Sequence, residues 1–500
     1  MDWLAARMQS TPEAVALQIG ERVWTYGELD WLVGKLAGEL AVLSVQRNDF
    51  VAVLMHNSLD YVCLIHALAR IGAVLIPLNT RLSLPEIAWQ LEHTGAGVLL
   101  FDEGHEGVVD ELGGQVTDSR WQVASGRVYA SRITHHASDP STSSDQIPQP
   151  PIPNLQSIIF TSGTTGRPKG VMLTYENHLW SANGSAYRLG LDVGERWLSC
   201  LPLYHVGGQA VIFRSCLYGT AVILHPKYDT VAISESLDND NITLVSLVPT
   251  MVYRLLEYRH RQAKPWPSSL RHLLLGGAAS TPDLVARCRA HSIPLSPTYG
   301  LTEADSQVAT MTPDRAFDKP GCVGKPLMFS SVRIVGENGE TQPTGVYGEV
   351  AVSGPTVMAG YFKNPEATAK TIVNGELRTG DIGYLDEDGD LWLVQRRSDI
   401  IVSGGENVYP AEVEGVLREH EQVTAVSVVG LPDPEWGQLV AAVVVKTGEL
   451  TAVSLQQYAR QQLAGYKIPR HILFVNELPQ TASGKIHRPG VEALFNNEST

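Results

Sequence analysis

Ser157-Ile-Ile-Phe-Thr-Ser-Gly-Thr-Thr-Gly-Arg-Pro-Lys-Gly170 decides how the rest of this chain is read. Ser157 to Phe160 is a candidate for a buried strand. The decapeptide that follows, Thr161 to Gly170, has the chemistry of a phosphate cradle. Its glycines let backbone N–H groups face inward as an anion nest. Its hydroxyls add donors, and Lys169 adds a mobile positive charge. This donor set suits a triphosphate. It is not a Walker A loop, because Pro168 precedes the lysine and Gly170 follows it.

Upstream of the cradle, helix and strand signals alternate. Thr25 to Glu28 reads as a helix entry, with Thr25 as N-cap and Glu28 three residues on. Val51–Met55 predicts a strand, Tyr61–Ile71 a helix, and Gly72–Leu78 another strand. Downstream, Val245–Leu247 and His272–Leu275 continue the pattern as far as Pro297. Such alternation argues an α/β fold around a buried, largely parallel sheet. His136–Asn154, rich in Ser, Asp, Gln and Pro, reads as a surface loop. From Val332 to about Leu393, short alternating runs separated by glycines predict a small β-rich subdomain. Within it Asp386–Asp390 lacks the register of an EF-hand and reads as a hairpin turn. The last hundred or so residues predict helix, strand, strand, helix and strand. We therefore expect a large domain of layered α/β sheets over 1–395, a hinge at 396–400 and a small α+β domain over 401–500.

Bulk properties narrow the function. The chain has 500 residues, 44% hydrophobic and 18% charged, so a sizeable core is available. The formal net charge of −15 argues against a nucleic-acid binder. The five cysteines (Cys63, Cys200, Cys216, Cys288, Cys322) form no C-x-x-C pair. They read as buried, idle thiols in a reducing compartment. The N-terminus is no secretory signal, and no apolar run reaches the roughly 18 residues of a membrane span. A cytoplasmic protein is expected.

Further short motifs follow the cradle in order. Gly276-Gly-Ala-Ala279 closes the apolar run His272–Leu275. In Tyr299-Gly-Leu-Thr-Glu303, an aromatic ring can stack on a base, Thr302 can donate to phosphate, and Glu303 is a hard oxygen ligand for Mg²⁺. Thr379-Gly-Asp381 carries a carboxylate able to accept from two hydroxyls at once. Ser403-Gly-Gly-Glu-Asn-Val-Tyr-Pro410 is a long glycine-bearing turn ahead of a helix. Ser483-Gly-Lys485 lies near the C-terminus.

Together these segments resemble the adenylate-forming superfamily, which includes acyl-CoA synthetases, adenylation domains and luciferases. The resemblance spans roughly residues 10–488. It implies that Thr161, Ser162, Gly163, Thr164, Thr165, Gly166 and Lys169 hold the phosphates of ATP. It implies that Gly276, Gly277, Ala278, Ala279, Tyr299 and Gly300 lie along the nucleotide, with Asp381 and Arg396 on the ribose. Glu303 would hold Mg²⁺, and Lys485 would serve adenylation. Ser398 and Asp399 fall at the family's hinge. Ser403, Gly404, Gly405 and Glu406 fall on the face that meets coenzyme A after the small domain rotates. Leu201-Pro-Leu-Tyr-His-Val-Gly-Gly208 resembles the segment lining the acyl pocket, with His205 at its mouth.

Within the superfamily, LPLYHVGG, SLVPTMVYRLL (Ser246–Leu256), YGLTEADSQ (Tyr299–Gln307), the Arg396–Glu414 run and YKIP (Tyr466–Pro469) look most similar to 2-succinylbenzoate–CoA ligases of menaquinone biosynthesis. Ser246, Gly300, Ser306, Gln307 and His205 are then candidates for the acid's surroundings. One position departs: those ligases often carry Ser where this chain has Gly207. Fatty, aryl and dicarboxylic acids remain alternatives, as does a non-catalytic nucleotide-binding protein. The resemblance is also compatible with a homodimer.

Overall fold

The computed structural model describes residues 2–82, 84–112, 116–123, 128–133, 152–161, 168–277, 280–396, 401–403, 406–408, 410–433, 436–463, 465–481 and 485–496. Two compact units emerge, one of residues 1–332 and 351–378, the other of 333–350 and 379–500. The stretch Val332–Leu393, expected as one β-rich subdomain, contributes to both units.

The first unit is built on two sheets. One has eight strands, with Lys169–Thr174, Leu155–Thr161, Val74–Pro77, Phe50–Leu54 and Val98–Asp102 side by side. Phe50–Leu54 pairs in parallel with both Val74–Pro77 and Val98–Asp102. The second sheet places Leu295–Leu301, His272–Leu275, Leu244–Leu247, Arg196–Ser199, Ala221–Leu224 and Val15–Ile19 in sequence, all parallel.

The strand Phe50–Leu54 shows why its sequence is an unbroken apolar run. Val51 and Val53 enter one core cluster with the helices Tyr26–Val42 and Leu59–Ile71. Ala52 and Leu54 enter another cluster on the opposite face. A strand buried on both faces cannot alternate polar with apolar residues. The first cluster also takes Trp197, Val222, Leu244 and Leu274 from the second sheet, so a shared helical layer lies between the two sheets.

Local signals are honoured where they are strongest. Thr25 caps Tyr26–Val42 in a reciprocal box: Glu28 N–H donates to Thr25 Oγ1 at 3.2 Å and Thr25 N–H to Glu28 Oε2 at 2.8 Å. Leu59–Ile71 ends on Gly72 in the left-handed region, as a helix C-terminus commonly does. The loop expected at His136–Asn154 lies almost wholly outside the described residues.

The second unit contains the hairpin Glu376–Leu385 to Leu391–Arg396, whose first strand begins just before the unit boundary. The turn between them matches its reading. Asp386 Oδ1 accepts the N–H groups of Asp388 and Asp390, each at 3.0 Å, and Oδ2 takes the Trp392 indole at 2.9 Å. The rest is a five-stranded sheet in which Val423–Asp433 and Gly437–Lys446 form a long antiparallel pair. Val426, Val428, Ala442 and Val444 face the helices Pro410–Arg418 and Ala452–Ala459, while Val429, Ala441 and Val443 face Arg488–Asn496. The expected order helix, strand, strand, helix, strand is present, with the pair Ile401–Ser403 and Glu406–Val408 ahead of it and Arg488–Asn496 after it.

All five cysteines are buried, and none is in a disulfide. Burial pushes the thiols of Cys200, Cys216 and Cys288 up to about 12. None of the described helices is long and apolar enough to cross a membrane.

Candidate active site

The phosphate cradle closes a hairpin. Leu155–Thr161 pairs antiparallel with Lys169–Thr174, and Thr161 stands opposite Lys169. Ser162, Gly163, Thr164, Thr165 and Gly166 lie outside the described residues. The hairpin fixes the point from which both ends of the loop depart. Gly360–Tyr361 adds to the free side of Lys169–Thr174, with Tyr361 opposite Val171.

That pairing gathers three charged or polar groups. The Lys169 ammonium sits 4.9 Å from the centre of the Tyr361 ring, within cation–π range. The Tyr361 hydroxyl donates to Glu303 Oε1 at 3.0 Å. Burial, reinforced by the Glu303 charge, pushes the Tyr361 phenol well above its ordinary value, so it stays a donor. Glu303 is further fixed through its backbone, its carbonyl accepting from Met358 N–H at 2.9 Å. Among the described residues, Oε2 of Glu303 has no hydrogen-bond partner. One half-exposed carboxylate beside a lysine and a phosphate-type loop fits Mg²⁺ carried by a nucleotide, since that ion takes few protein ligands and keeps phosphates and water.

Glu303 reaches this position through a turn. Leu295–Leu301 runs into the 3₁₀ turn Thr302–Ala304 and returns as Ser306–Thr310. Gly300 faces Gln307 across this antiparallel pair at a bulge. A Cβ on Gly300 would lie 1.5 Å from the Ser306 carbonyl oxygen, so no other residue fits. Tyr299 is 7% exposed and presents little surface for stacking without rearrangement. Gly276 and Gly277 follow the neighbouring strand His272–Leu275 as expected, while Ala278 and Ala279 lie outside the described residues.

The acyl-side candidates divide. His205 is exposed and stands at the N-terminus of the helix Val206–Tyr218. Asn57 holds the preceding loop: its amide donates to the Leu201 carbonyl at 2.9 Å and accepts from Leu203 N–H at 2.8 Å. A Cβ on Gly207 would meet only Leu201 Cδ1, at 3.6 Å, which is ordinary contact. Ser246 is engaged by the Trp197 indole at 3.0 Å, and that bond gives it a structural duty. Gln307 is 4% exposed and its amide nitrogen bonds Thr298 and Thr310 at 3.3 and 3.2 Å. Ser306 is half-buried, in the left-handed region at φ 83°.

In the second unit, Asp381 is 7% exposed and stands opposite Arg396 in the hairpin. Its N–H donates to Thr379 Oγ1 at 3.1 Å, and that hydroxyl donates to the Val350 carbonyl at 2.7 Å. The threonine of the T-G-D motif thus sets the turn that carries the aspartate. Ser403 pairs with Glu406 across a tight hairpin, with Gly404 and Gly405 outside the described residues, as are Ser398 and Asp399. Lys485 is exposed; its N–H donates to Thr481 Oγ1 at 3.2 Å and its carbonyl accepts from Thr481 N–H at 2.7 Å. Thr481 thus holds the backbone of Lys485 from both its N–H and its carbonyl.

A family model described as AMP-binding enzyme matches residues 4–362, and one described as AMP-binding enzyme C-terminal domain matches residues 412–485. The chain is an AMP-binding enzyme. It is similar over 494 residues, 99% of its length and 98% of the relative's, to 2-succinylbenzoate–CoA ligase of Bacillus cereus (strain Q1), at 40% identity. Among solved structures, this AMP-binding enzyme resembles o-succinylbenzoate CoA synthetase from Bacillus subtilis in complex with the acyl-adenylate OSB-AMP, with TM-score 0.83, 35% identity and 98% of each chain covered. The same Bacillus subtilis protein in complex with ATP and magnesium ion gives TM-score 0.83 at 36% identity, covering 98% of each chain. An amide bond synthetase from Marinactinospora thermotolerans gives TM-score 0.85 at 28% identity, covering 99% of each chain.

Two residues of the site went unmarked in the sequence. Tyr361 sits in Gly-Tyr-Phe362, a tripeptide with no chemical signature of its own. Asn57 follows a strand as an ordinary loop residue would. Only their long-range contacts, 58 residues away for Tyr361 and 144 for Asn57, reveal them.

Proposed function

We propose that this enzyme joins 2-succinylbenzoate to coenzyme A at the expense of ATP, as a step of menaquinone biosynthesis in the cytoplasm. The observation that carries the reading is the Lys169–Tyr361–Glu303 cluster beside the phosphate hairpin, in a chain 40% identical along its whole length to 2-succinylbenzoate–CoA ligase. In the first half-reaction a carboxylate oxygen of the acid attacks the α-phosphorus of ATP. The Pα–O bond to pyrophosphate breaks, giving an acyl-adenylate. In the second, the thiolate of coenzyme A attacks the acyl carbonyl and AMP leaves.

Negative charge builds on phosphate oxygens in the first step. Lys169, Lys485 and the donors of the 161–170 loop stabilise it, and Mg²⁺ on Glu303 supplies further positive charge when bound. Preorganised groups of this kind are worth about 10²–10³ in rate each. Tyr361 keeps the Glu303 carboxylate turned toward the phosphates. Asp381 and Arg396 hold the ribose. Ser403 to Glu406 serve the thioester step after the 401–500 domain turns about Ser398–Asp399. His205 and the helix it begins flank the acid, and a homodimer is the expected assembly.

Pyrophosphate release with ATP, Mg²⁺ and coenzyme A tests this across 2-succinylbenzoate, benzoate, 4-coumarate, malonate and fatty acids. Preference for 2-succinylbenzoate, with its CoA thioester identified by mass, is the expected result. Preference for another acid removes the substrate assignment, and absence of pyrophosphate with every acid removes the ligase reading.

A further inference from the structure

Behind the Glu303 turn lies a buried polar chain that the mechanism does not use. It begins at Gln156, on the strand that leads into the phosphate loop. Gln156 Oε1 meets His178 Nε2 at 3.0 Å. His178 Nδ1 then lies 2.9 Å from Asp305 Oδ1, and both side chains are 1% exposed. Asp305 also engages Ser181, whose hydroxyl donates to the Asp305 carbonyl at 2.7 Å and accepts from Arg214 Nη2 at 3.0 Å. Arg214 is itself buried, and burial pushes its guanidinium down while Tyr218 and Asp305 act to keep it charged.

Asp305 sits two residues after Glu303, with φ at 50°. Its N–H donates to the Thr302 carbonyl at 3.1 Å and so closes the turn around Glu303. Aspartate tolerates this left-handed conformation better than most residues. A small neutral residue would serve a mere turn equally well. Burying an anion is costly unless it is paired. Here the partner is the His178 ring, whose Nδ1 lies 2.9 Å from Oδ1 in a close contact between two buried side chains, and buried polar contacts of this kind fix one arrangement where apolar packing allows sliding. The groups that hold Asp305 come from the strand behind the phosphate loop (Gln156), from Tyr175–Leu189 (His178, Ser181) and from the helix that His205 begins (Arg214).

We propose that Asp305 is a positioning residue. Held by His178 and, through Ser181, by Arg214, it sets the distance between the Glu303 carboxylate and the phosphate hairpin, and so the affinity for a divalent cation carried on ATP. The inference rests on Glu303 being the carboxylate that meets that cation. The chain Gln156–His178–Asp305 then plays the part that carboxylates and carbonyls behind metal-bound groups commonly play.

The test measures binding without turnover. Mn²⁺ is titrated into the full-length enzyme with α,β-methylene-ATP and followed by electron paramagnetic resonance. Metal-free nucleotide binding and the melting temperature are measured alongside. Asp305→Asn and His178→Asn should each weaken Mn²⁺ binding about 10- to 100-fold, leave metal-free nucleotide binding within about threefold, and together do no more than either alone. Glu303→Gln should weaken Mn²⁺ at least as much. If Glu303→Gln does so while Asp305→Asn binds Mn²⁺ like the parent, the positioning role is wrong, whatever the melting temperature does. If Glu303→Gln also binds like the parent, the assignment of Glu303 itself fails. Should Asp305→Asn not fold, His178→Asn and Gln156→Met carry the same expectation and the same refutation.

Discussion

Two glycines of the first unit face opposite constraints. Gly300, at the end proposed to hold the nucleotide, has the Ser306 carbonyl 1.5 Å from where a Cβ would stand. Gly207, at the end proposed to hold the acid, has only Leu201 Cδ1 at 3.6 Å. Around Gly300 every neighbour is tied: Glu303 to Tyr361, Asp305 to His178, Gln307 to Thr298 and Thr310. Around Gly207 the loop is anchored at Leu201 and Leu203 by Asn57, but His205 is exposed and the helix entry has room. The nucleotide end is built so that one backbone path is allowed. The acyl end is built so that side chains can change without moving the backbone.

The largest effect should come from breaking the first half of that contrast. Gly300→Ala forces the bulge apart, costs about 3 kcal/mol or more of folding free energy, and should leave little pyrophosphate release in whatever protein folds. A thermal melt and a pyrophosphate assay decide it, and parent-like values in both would mean the bulge is not required. Next comes Lys485→Ala. Adenylation should fall by about 10²–10³, while thioester formation from supplied acyl-adenylate persists. Equal losses in both halves would undo the division of roles.

Acid should weaken the first unit through its core histidines. Burial pushes His66 and His272 down to about 4. His272 opens the strand leading to Gly276, with Nδ1 on Ser296 Oγ at 3.0 Å. The unfolded chain takes up protons near pH 6.5, whereas the folded chain resists until about 4. Their stabilisation is therefore complete above pH 6.5 and is lost as pH falls toward 4, by roughly 3 kcal/mol for each histidine. Denaturant melts across that window should show it, and His272→Gln should flatten the slope. The smallest effect sharpens the second half. Gly207→Ser should change stability by less than about 0.5 kcal/mol, keep adenylation intact, and alter only the ranking of acids. A large loss of stability would show that the acyl end is as constrained as the nucleotide end.

Much of this was legible before any coordinates. The strands Phe50–Leu54 and Val74–Pro77 announce themselves because burial on both faces demands unbroken apolar runs. Thr25 and Glu28 mark a helix start because both halves of a capping box are local. The Asp386–Asp390 turn is equally local. What stayed hidden depends on contacts between distant segments. The left-handed Asp305 in Leu-Thr-Glu-Ala-Asp reads as one more acid on a turn until His178 is found against it. Ser246, a reasonable pocket candidate by resemblance, is engaged by an indole 49 residues away. The boundary expected at 396–400 rests on a change of pattern, whereas the compact units divide the chain at 332–333, 350–351 and 378–379, because strands on either side of a composition shift can still pack together.

The fate of the five cysteines has a practical and a chemical side. An enzyme whose cosubstrate bears a free thiol is continually exposed to the disulfide of that cosubstrate. Thiolates near a protein surface would exchange with it and carry the adduct. Here every thiol is buried, and burial pushes those of Cys63, Cys200, Cys216 and Cys288 well above their ordinary value, so the chain should pass through oxidised coenzyme A unmodified. The same silence makes it a blank background: one cysteine introduced at the exposed position 485 should accept a maleimide dye alone.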